Sequence, residues 1–292
     1  MKTSLQRPGG SRLLAGIRPL SDQREVLVKF GISAGAGIEA APAARGTVTA
    51  HILAVADQAG SGAALINAAA HRPGAAAVIT WPQFAHLVRA AACGLSRRGL
   101  QEGDTAGIFV ADAVSHAVAV HAVRAAGGVA VPVCPAQSAA DVAAGLKQRR
   151  ARLLITSAEL AGPATQAADR CLVRQVFAFG EAEGTTPFGS LLTARTGGTG
   201  CNAGLAEAPA PGLTGTDLGL SRRDVVVAAP PCGDPEAYTS LLDEALAAGA
   251  TVVAAPRRQV AAAATAYHAT AAITPGGTDV PGLPASRVFV LR

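Results

Sequence analysis

Aromatic residues are scarce in this chain, at 3% of 292 positions, although hydrophobic residues reach 50%. Such a hydrophobic content is enough for a substantial core in one or two domains. That core must be built mostly from alanine, valine and leucine, and small side chains bury less apolar surface per residue. We therefore expect a folded protein whose stability is marginal for its size.

The sequence also lacks a long uncharged apolar run and a paired set of cysteines. No stretch of about 18 apolar residues occurs, which argues against a transmembrane helix. Arg18, Asp22 and Arg24 fall where the apolar part of an export signal would lie, so export is disfavoured. These features predict a cytoplasmic protein without disulfides or a metal site, because the five cysteines are odd in number and widely spaced: Cys93, Cys134, Cys171, Cys201 and Cys232.

Positive charge is in excess, with a net charge of +5 and a pI near 9.3. The densest cluster, residues 147–152, lies at the predicted C-terminus of a helix, where cations are favourable in any case. No aromatic residues are interleaved with it, so we predict no nucleic-acid binding. The histidines form no ligand spacing, and His116 and His121 are five apart in a predicted helix and do not share a face. Surface or structural roles are predicted for them.

Helical and strand patterns alternate between Thr80 and Phe179. Thr80 and Pro82 suit the first turn of a helix whose apolar residues recur at helical spacing as far as Leu95. Glycine at Gly99 suits the end of that helix. The alternation predicts an α/β fold of doubly wound, mostly parallel sheets flanked by helices. The predicted strands are 106–110, 129–133, 152–156 and 174–179, and the predicted helices are 113–126, 139–150 and 158–169.

Changes in composition divide the chain into four parts. Residues 1–46 are predicted as an N-terminal extension and linker, and residues 47–194 as a first α/β subdomain. A connector rich in glycine, proline and alanine follows at 195–219, and residues 220–292 are predicted as a partial second α/β subdomain.

Six segments together resemble the N-terminal domain of the acyl-CoA synthetase and adenylation superfamily, most nearly the 4-coumarate-CoA ligase-like enzymes. Their order and spacing carry the resemblance, which covers about half of the chain. An ordinary dinucleotide-binding protein fits less well, because no Gly-x-Gly-x-x-Gly turn follows a predicted strand. The matching segments are 64–66, 80–84, 94–104, 116–126, 127–133 and 151–156.

The resemblance implies a phosphate-binding loop, Ser/Thr-Ser-Gly-Thr-Thr-Gly-x-Pro-Lys-Gly, soon after Leu192. In such a loop, backbone N–H groups converge on phosphate oxygens and the lysine neutralises charge. The chain has no lysine after Lys147. Two interpretations of the segment at this position stay open: a reduced phosphate-binding nest and a flexible surface linker. The missing lysine favours the linker. The residues of the segment are Thr196, Gly197, Gly198, Thr199 and Gly200.

Beyond the connector, residues 224–231 and 245–253 resemble the strand, turn and helix that border the acyl pocket of the ligases. The resemblance implies that part of this pocket persists at Cys232, Tyr238, Thr274 and Pro275. Cys232 is the cysteine most worth testing for reactivity, although nearby acidic residues raise a thiol pKa. A structural role is favoured for it. The chain departs from the family in lacking its adenine, ribose and magnesium motifs and its C-terminal domain.

These departures predict a degenerate, truncated ligase homologue that does not adenylate carboxylic acids alone. We expect a pseudoenzyme with no catalytic residue, no metal and no cofactor, which binds a partner in a biosynthetic pathway. A homodimer, a full-length ligase or a carrier protein is the expected partner, with no membrane. Two alternatives stay open: an acyl or aromatic-acid binding module, and a ligase subunit that another chain completes for chemistry with ATP, magnesium and CoA.

Overall fold

A computed structural model describes residues 47–68, 77–193, 218–231, 233–275 and 280–291. The helices are α1 (Val48–Gln58), α2 (Trp81–Arg97), α3 (Ala113–Ala125), α4 (Ala139–Gln148), α5 (Ala161–Ala168), α6 (Pro235–Ala247) and α7 (Val260–Ala266). The strands are β1 (Ala63–Asn67), β2 (Ala77–Thr80), β3 (Thr105–Phe109), β4 (Val129–Pro132), β5 (Leu153–Ser157), β6 (Gln175–Phe179), β7 (Thr186–Pro187), β8 (Val225–Ala228), β9 (Thr251–Ala254), β10 (Ala271–Pro275) and β11 (Val288–Leu291). None of the helices described is long and apolar enough to cross a membrane.

The strands form two sheets. The first has the order β11-β10-β8-β9-β1-β2 and is parallel except for the antiparallel pair β1 and β2. The second has the order β4-β3-β5-β6-β7 and is parallel throughout. The prediction of mostly parallel, helix-flanked sheets is therefore confirmed.

The helices form three layers around these sheets. One hydrophobic cluster lies between the sheets and takes in α1, α2, α3 and α6. A second cluster packs α7 on the outer face of the first sheet, and a third packs α4 and α5 on the outer face of the second. Helix α3 is buried on nearly every side, which fits a mostly apolar helix that lies between two sheets.

Helix starts follow the capping chemistry of the sequence. Thr80 caps α2 in a capping box with Gln83, and Pro82 lies in the first turn, as predicted. Asp112 caps α3 through the Ser115 N–H at 2.9 Å, and Asp234 caps α6. The helix predicted over 158–169 is a 3₁₀ turn followed by α5. Pro163 is the third residue of α5, where its missing N–H would have no partner in any case.

The predicted subdomain boundary near residue 194 does not separate the two sheets. Strand β1 pairs in parallel with β9, with Leu65 opposite Val252, so the first part of the chain supplies two strands to the sheet formed by the last part. The Thr251 hydroxyl adds a hydrogen bond to the Ala63 carbonyl at 2.9 Å. Thr251 and Ala63 are 188 positions apart in the sequence, a separation that no local pattern could indicate.

Candidate functional site

The carboxyl edge of the first sheet is the place where open parallel sheets bind ligands. Here β8 runs into the turn 229–231, β9 ends at Ala254, and β10 ends at Pro275. Helix α6 begins directly after β8. Of the residues predicted to bind phosphate or substrate, Tyr238, Thr274 and Pro275 lie at this edge. Thr196, Gly197, Gly198, Thr199, Gly200 and Cys232 lie outside the described residues.

Tyr238 is part of the core between the sheets. Its side chain is fully buried, its hydroxyl donates to the Ala229 carbonyl at 2.7 Å, and its ring meets the His116 ring edge-on with centroids 5.3 Å apart. The hydrogen of this hydroxyl is therefore engaged with the backbone at the end of β8. That bond fixes the start of α6 against the sheet edge.

Thr274 lies on the opposite face of the first sheet from Tyr238. Ile273 belongs to the cluster between the sheets and Ala272 to the outer cluster, so strand alternation places Thr274 on the outer face. Its side chain is fully buried, and its hydroxyl has no hydrogen-bond partner among the residues that the structure describes. A buried hydroxyl without a partner costs about 1–3 kcal/mol, so this position can gain from an incoming polar group.

The N-terminus of α6 carries its own negative charge. The Asp234 carboxylate accepts from the Glu236 and Ala237 N–H groups at 2.9 and 3.1 Å, and Glu236 follows in the first turn. These N–H groups are the ones that a phosphate would use at a helix N-terminus. Because a carboxylate already occupies them, an anionic ligand meets repulsion at this point.

The last described residues before 194 are held firmly to α2. Gly94 lets the 3₁₀ turn Phe188–Leu191 lie against the helix, since a Cβ at this glycine would come within 2.7 Å of the Leu191 Cα. The Arg97 guanidinium donates to the carbonyls of Leu191 and Thr193, both at 3.3 Å. The backbone is therefore held in place just before the position where the resemblance implies that the phosphate loop begins.

Sequence reasoning missed a buried polar array between α1, α3 and α6. The His121 Nδ1 lies 3.0 Å from the Thr49 hydroxyl, and its Nε2 lies 3.4 Å from Asp243 Oδ1. Arg124 donates to Asp243 Oδ2 at 2.6 Å. Because the carboxylate can only accept, His121 carries its proton on Nε2, and Nδ1 accepts from Thr49.

His116 extends the array toward the start of α6. Its Nε2 lies 2.8 Å from the Thr239 hydroxyl, which itself donates to the Pro235 carbonyl at 2.7 Å. The hydroxyl must therefore accept from Nε2–H, and Nδ1 is left buried with no partner in the described part of the chain. Both histidines thus contact the same helix, although their spacing on α3 had suggested that they do not share a face. Surface or structural roles had been predicted for the histidines, and both of these side chains are buried.

Burial controls the ionisation of this array. Burial, followed by the nearby positive charge of Arg124, lowers the pKa of His116 from 6.5 to about 3. The same two causes, with His116 third, hold the pKa of His121 well below its usual value. Burial raises the pKa of Asp243, and the attraction of Arg124 opposes the rise. Both imidazoles are therefore neutral at pH 7.

The order Thr49, His121, Asp243 matches the hydroxyl, imidazole and carboxylate of a hydrolase triad in residue type only. Thr49 and His121 are each 1% exposed, so a substrate has no route to the hydroxyl. The array joins three helices inside the core. A signal for it was present in the sequence: Thr239 and Asp243 are four apart on α6 and place two polar groups on an otherwise apolar face.

The chain forms two stacked, mostly parallel sheets with buried helices between them, and α6 begins at the carboxyl edge of the first sheet. This is the fold of the N-terminal domains of adenylate-forming ligases. Sequence comparison agrees, since residues 54–189 match the family described as AMP-binding enzyme. This match covers somewhat less than half of the chain. Among curated proteins, none matches the chain in sequence.

Solved structures with a similar fold include ligases and a related synthetase. A long-chain-fatty-acid-CoA ligase from Archaeoglobus fulgidus is 17% identical with a TM-score of 0.63, over 82% of this chain and 53% of the ligase. A benzoate CoA ligase from Burkholderia xenovorans is 19% identical with a TM-score of 0.59, over 84% and 54%. An amide bond synthetase from Marinactinospora thermotolerans is 18% identical with a TM-score of 0.62, over 84% and 54%. The chain thus spans about half the length of these proteins.

Proposed function

We propose that this chain is a degenerate member of the AMP-binding family that does not adenylate carboxylic acids by itself and acts by binding a partner protein. One observation carries the proposal: no lysine follows Lys147, so the segment between Leu192 and β8 lacks the lysine that the family's phosphate loop supplies. The hydrogen bonds from Arg97 to the carbonyls of Leu191 and Thr193 support the proposal, because they fix the position at which that loop would start.

The electrostatics of the candidate site point the same way. A carboxylate caps α6, and Glu236 adds a second negative charge. Among the described residues, the cations that follow the strands at this edge are Arg257 and Arg258, after β9. Acyl adenylation depends almost wholly on positioning and on stabilising charge at the phosphate. The site is therefore poorly suited to a triphosphate.

The expected loss of activity is large. Removing a single group that stabilises transition-state charge typically lowers the rate by about 10²–10³. Typical enzymes turn over at about 1–10³ s⁻¹. Loss of the phosphate lysine alone would thus leave a turnover of about 10⁻³–10 s⁻¹. The carboxylate at the neighbouring helix N-terminus lowers this rate further, because it repels the phosphates.

A second candidate function, the binding of an acyl or aromatic acid without its activation, rests on Thr274. Its buried hydroxyl has no partner among the described residues, at the end of β10 where the resemblance places the acid pocket. Tyr238, also predicted for this pocket, has its hydroxyl hydrogen engaged with Ala229. The hypothesis thus depends on one polar group where two had been predicted, and the partner-binding proposal is favoured.

Pyrophosphate release in a single turnover tests the absence of adenylation. The full chain is mixed in excess over γ-labelled ATP with magnesium and a panel of aryl and fatty acids, and released pyrophosphate is separated and counted. We expect no release above a no-protein control for any acid. Release approaching one pyrophosphate per ATP with any acid would show that the chain is an active ligase.

A further inference from the structure

A cationic surface lies at the amino edge of the second sheet, away from the groups discussed so far. Three hydrogen bonds bring its members together. The Arg174 N–H donates to the Arg152 carbonyl at 2.9 Å, and the Arg152 N–H donates to the Thr105 carbonyl at 2.9 Å. The Gln175 side-chain amide donates to the Arg98 carbonyl at 3.4 Å. We call the set the arginine surface. Its residues are Arg98, Arg150, Arg152, Arg170, Leu172 and Arg174.

Most of the positive charge on this surface is not neutralised. All five arginines are exposed. Arg152 pairs with Asp104 at 3.2 Å, and Arg98 lies over the Phe177 ring at 5.9 Å. Within the described part of the chain, no carboxylate forms an ion pair with Arg150, Arg170 or Arg174.

Helix dipoles account for only part of this cluster: Arg98 is the C-cap of α2, and Arg150 and Arg170 follow the C-caps of α4 and α5. Cations are favourable in the last turn of a helix, which explains Arg97 in α2 and Lys147 in α4. Arg152 and Arg174 instead come directly before β5 and β6, outside any helix. Arg174 therefore has no ion-pair partner among the described residues, whereas Arg152 pairs with Asp104.

Arg150 occupies a position where several helices of this protein use glycine, although His268 makes the same left-handed turn after α7. After α2, α3 and α6 the chain turns through Gly99, Gly127 and Gly249, with φ of 93°, 82° and 76°. After α4 the same turn is made by Arg150, with φ of 53°. A left-handed conformation is unfavourable for a residue with a Cβ. Glycine would therefore adopt this turn with less strain than arginine does.

Leu172 adds an apolar group to the cationic surface. It is 77% exposed, between Arg170 and Arg174 in the sequence. Single-stranded nucleic acids are bound by cations with aromatic side chains that stack on bases, and this surface offers an aliphatic side chain instead. A second copy of the same surface would repel it, because both would be positive. A protein segment with both acidic and apolar groups fits these features.

We propose that the arginine surface is the docking site for a partner protein that presents an acidic, amphipathic helix. Carboxylates of the helix pair with Arg150, Arg170 and Arg174, and an apolar residue between them covers Leu172. The site begins close to the candidate functional edge, since Arg149, next to Arg150, pairs with Glu236 at the start of α6. The proposal rests on the partner-binding function proposed above and assigns it a surface.

Fluorescence anisotropy with defined probes tests this assignment on the complete chain. The main probe is a labelled helical peptide of about 18 residues with glutamates flanking a stripe of leucines. A second peptide has the same composition with the leucines scattered, and a third probe is a DNA duplex of about 20 base pairs. At about 50 mM salt we expect the first peptide to bind with a Kd of order 10 µM and to weaken as salt rises.

Charge reversal separates the arginine surface from the general positive charge of the protein. The double change Arg150→Glu with Arg174→Glu is expected to weaken peptide binding about tenfold or more. The matched control, Arg223→Glu with Arg258→Glu, changes the net charge equally at exposed sites elsewhere and should leave the Kd within about twofold. Leu172→Ser should weaken binding of the striped peptide but not of the scattered one.

Arg150→Gly provides a test that loss of structure cannot imitate. Glycine relieves the left-handed turn, so the melting temperature should rise by about 2 °C, while peptide binding weakens. Three results would each overturn the assignment. The two double variants could lose peptide affinity equally, the unmodified chain could fail to bind the striped peptide, or the chain could bind DNA more tightly than the striped peptide. Pyrophosphate release on the same preparations keeps the two proposals apart: release refutes the proposed function, whereas failed docking without release refutes only this surface.

Discussion

Replacing Asp243 by alanine is expected to destabilise the protein by about 3–5 kcal/mol, the range measured when one member of a buried ion pair is removed. Asp243 accepts from Arg124 at 2.6 Å and lies 3.4 Å from His121 Nε2. Its side chain is only 10% exposed and that of Arg124 18%. The variant therefore leaves a cation and an imidazole N–H without a partner inside the core.

Urea unfolding of the variant and of a surface control checks this expectation. Asp57→Ala removes a two-bond ion pair with Arg89, at 2.9 and 2.7 Å, but Asp57 is 53% exposed, so a change of about 0–1 kcal/mol is expected. Joint replacement of Asp243 by leucine and Arg124 by methionine should recover much of the loss, since apolar pairs often substitute well for buried ion pairs. If Asp243→Ala and Asp57→Ala had equal effects, the array would not be a structural link.

Mildly acidic pH is expected to destabilise this protein, because His116 and His121 are buried in their neutral form. The pKa of His116 is about 3 in the folded chain against 6.5 for the free side chain, and that of His121 is lowered too. Unfolding therefore takes up protons below pH 6.5. Stability is complete above that pH and falls on acidification by about 1.4 kcal/mol per pH unit for each histidine.

The slope of unfolding free energy against pH is best measured between about pH 6 and pH 5. Asp243, whose pKa is raised above its ordinary value of 3.8, contributes a slope of opposite sign. Because this contribution is present in the variant and in the unmodified chain alike, the difference between them isolates the histidine. His116→Gln should reduce the slope of unfolding free energy against pH by about 1.4 kcal/mol per unit. His86→Gln, at an exposed position, should leave the slope unchanged. A slope in His116→Gln equal to that of the unmodified chain would contradict the buried neutral state.

Local chemistry was sufficient to predict much of the fold. The capping residue Thr80, the first-turn proline Pro82 and the turn at Gly99 defined α2 closely, and short apolar runs defined β3 to β6. These signals are contained within a few residues of the element that they shape. The order of matching segments then indicated the family, which the match over residues 54–189 confirms.

Features that depend on distant contacts could not be predicted in this way. The pairing of β1 with β9 joins Leu65 to Val252, and only the folded chain brings them together. The contacts of His116 and His121 with α6 arise because that helix lies against α3 between the sheets. At the candidate site, the sequence placed Tyr238 and Thr274 in one pocket, whereas strand alternation puts them on opposite faces of the first sheet.

The central claim is that an adenylate-forming scaffold persists in this chain without a grip on triphosphate. Calorimetric titration of the complete chain with ATP and magnesium tests it most directly, because nucleotide binding precedes any chemistry and needs no knowledge of the acid. We predict no saturable heat up to millimolar nucleotide, while an active ligase titrated alongside binds normally. Saturable binding of one ATP per chain with a Kd below about 0.1 mM would contradict the account.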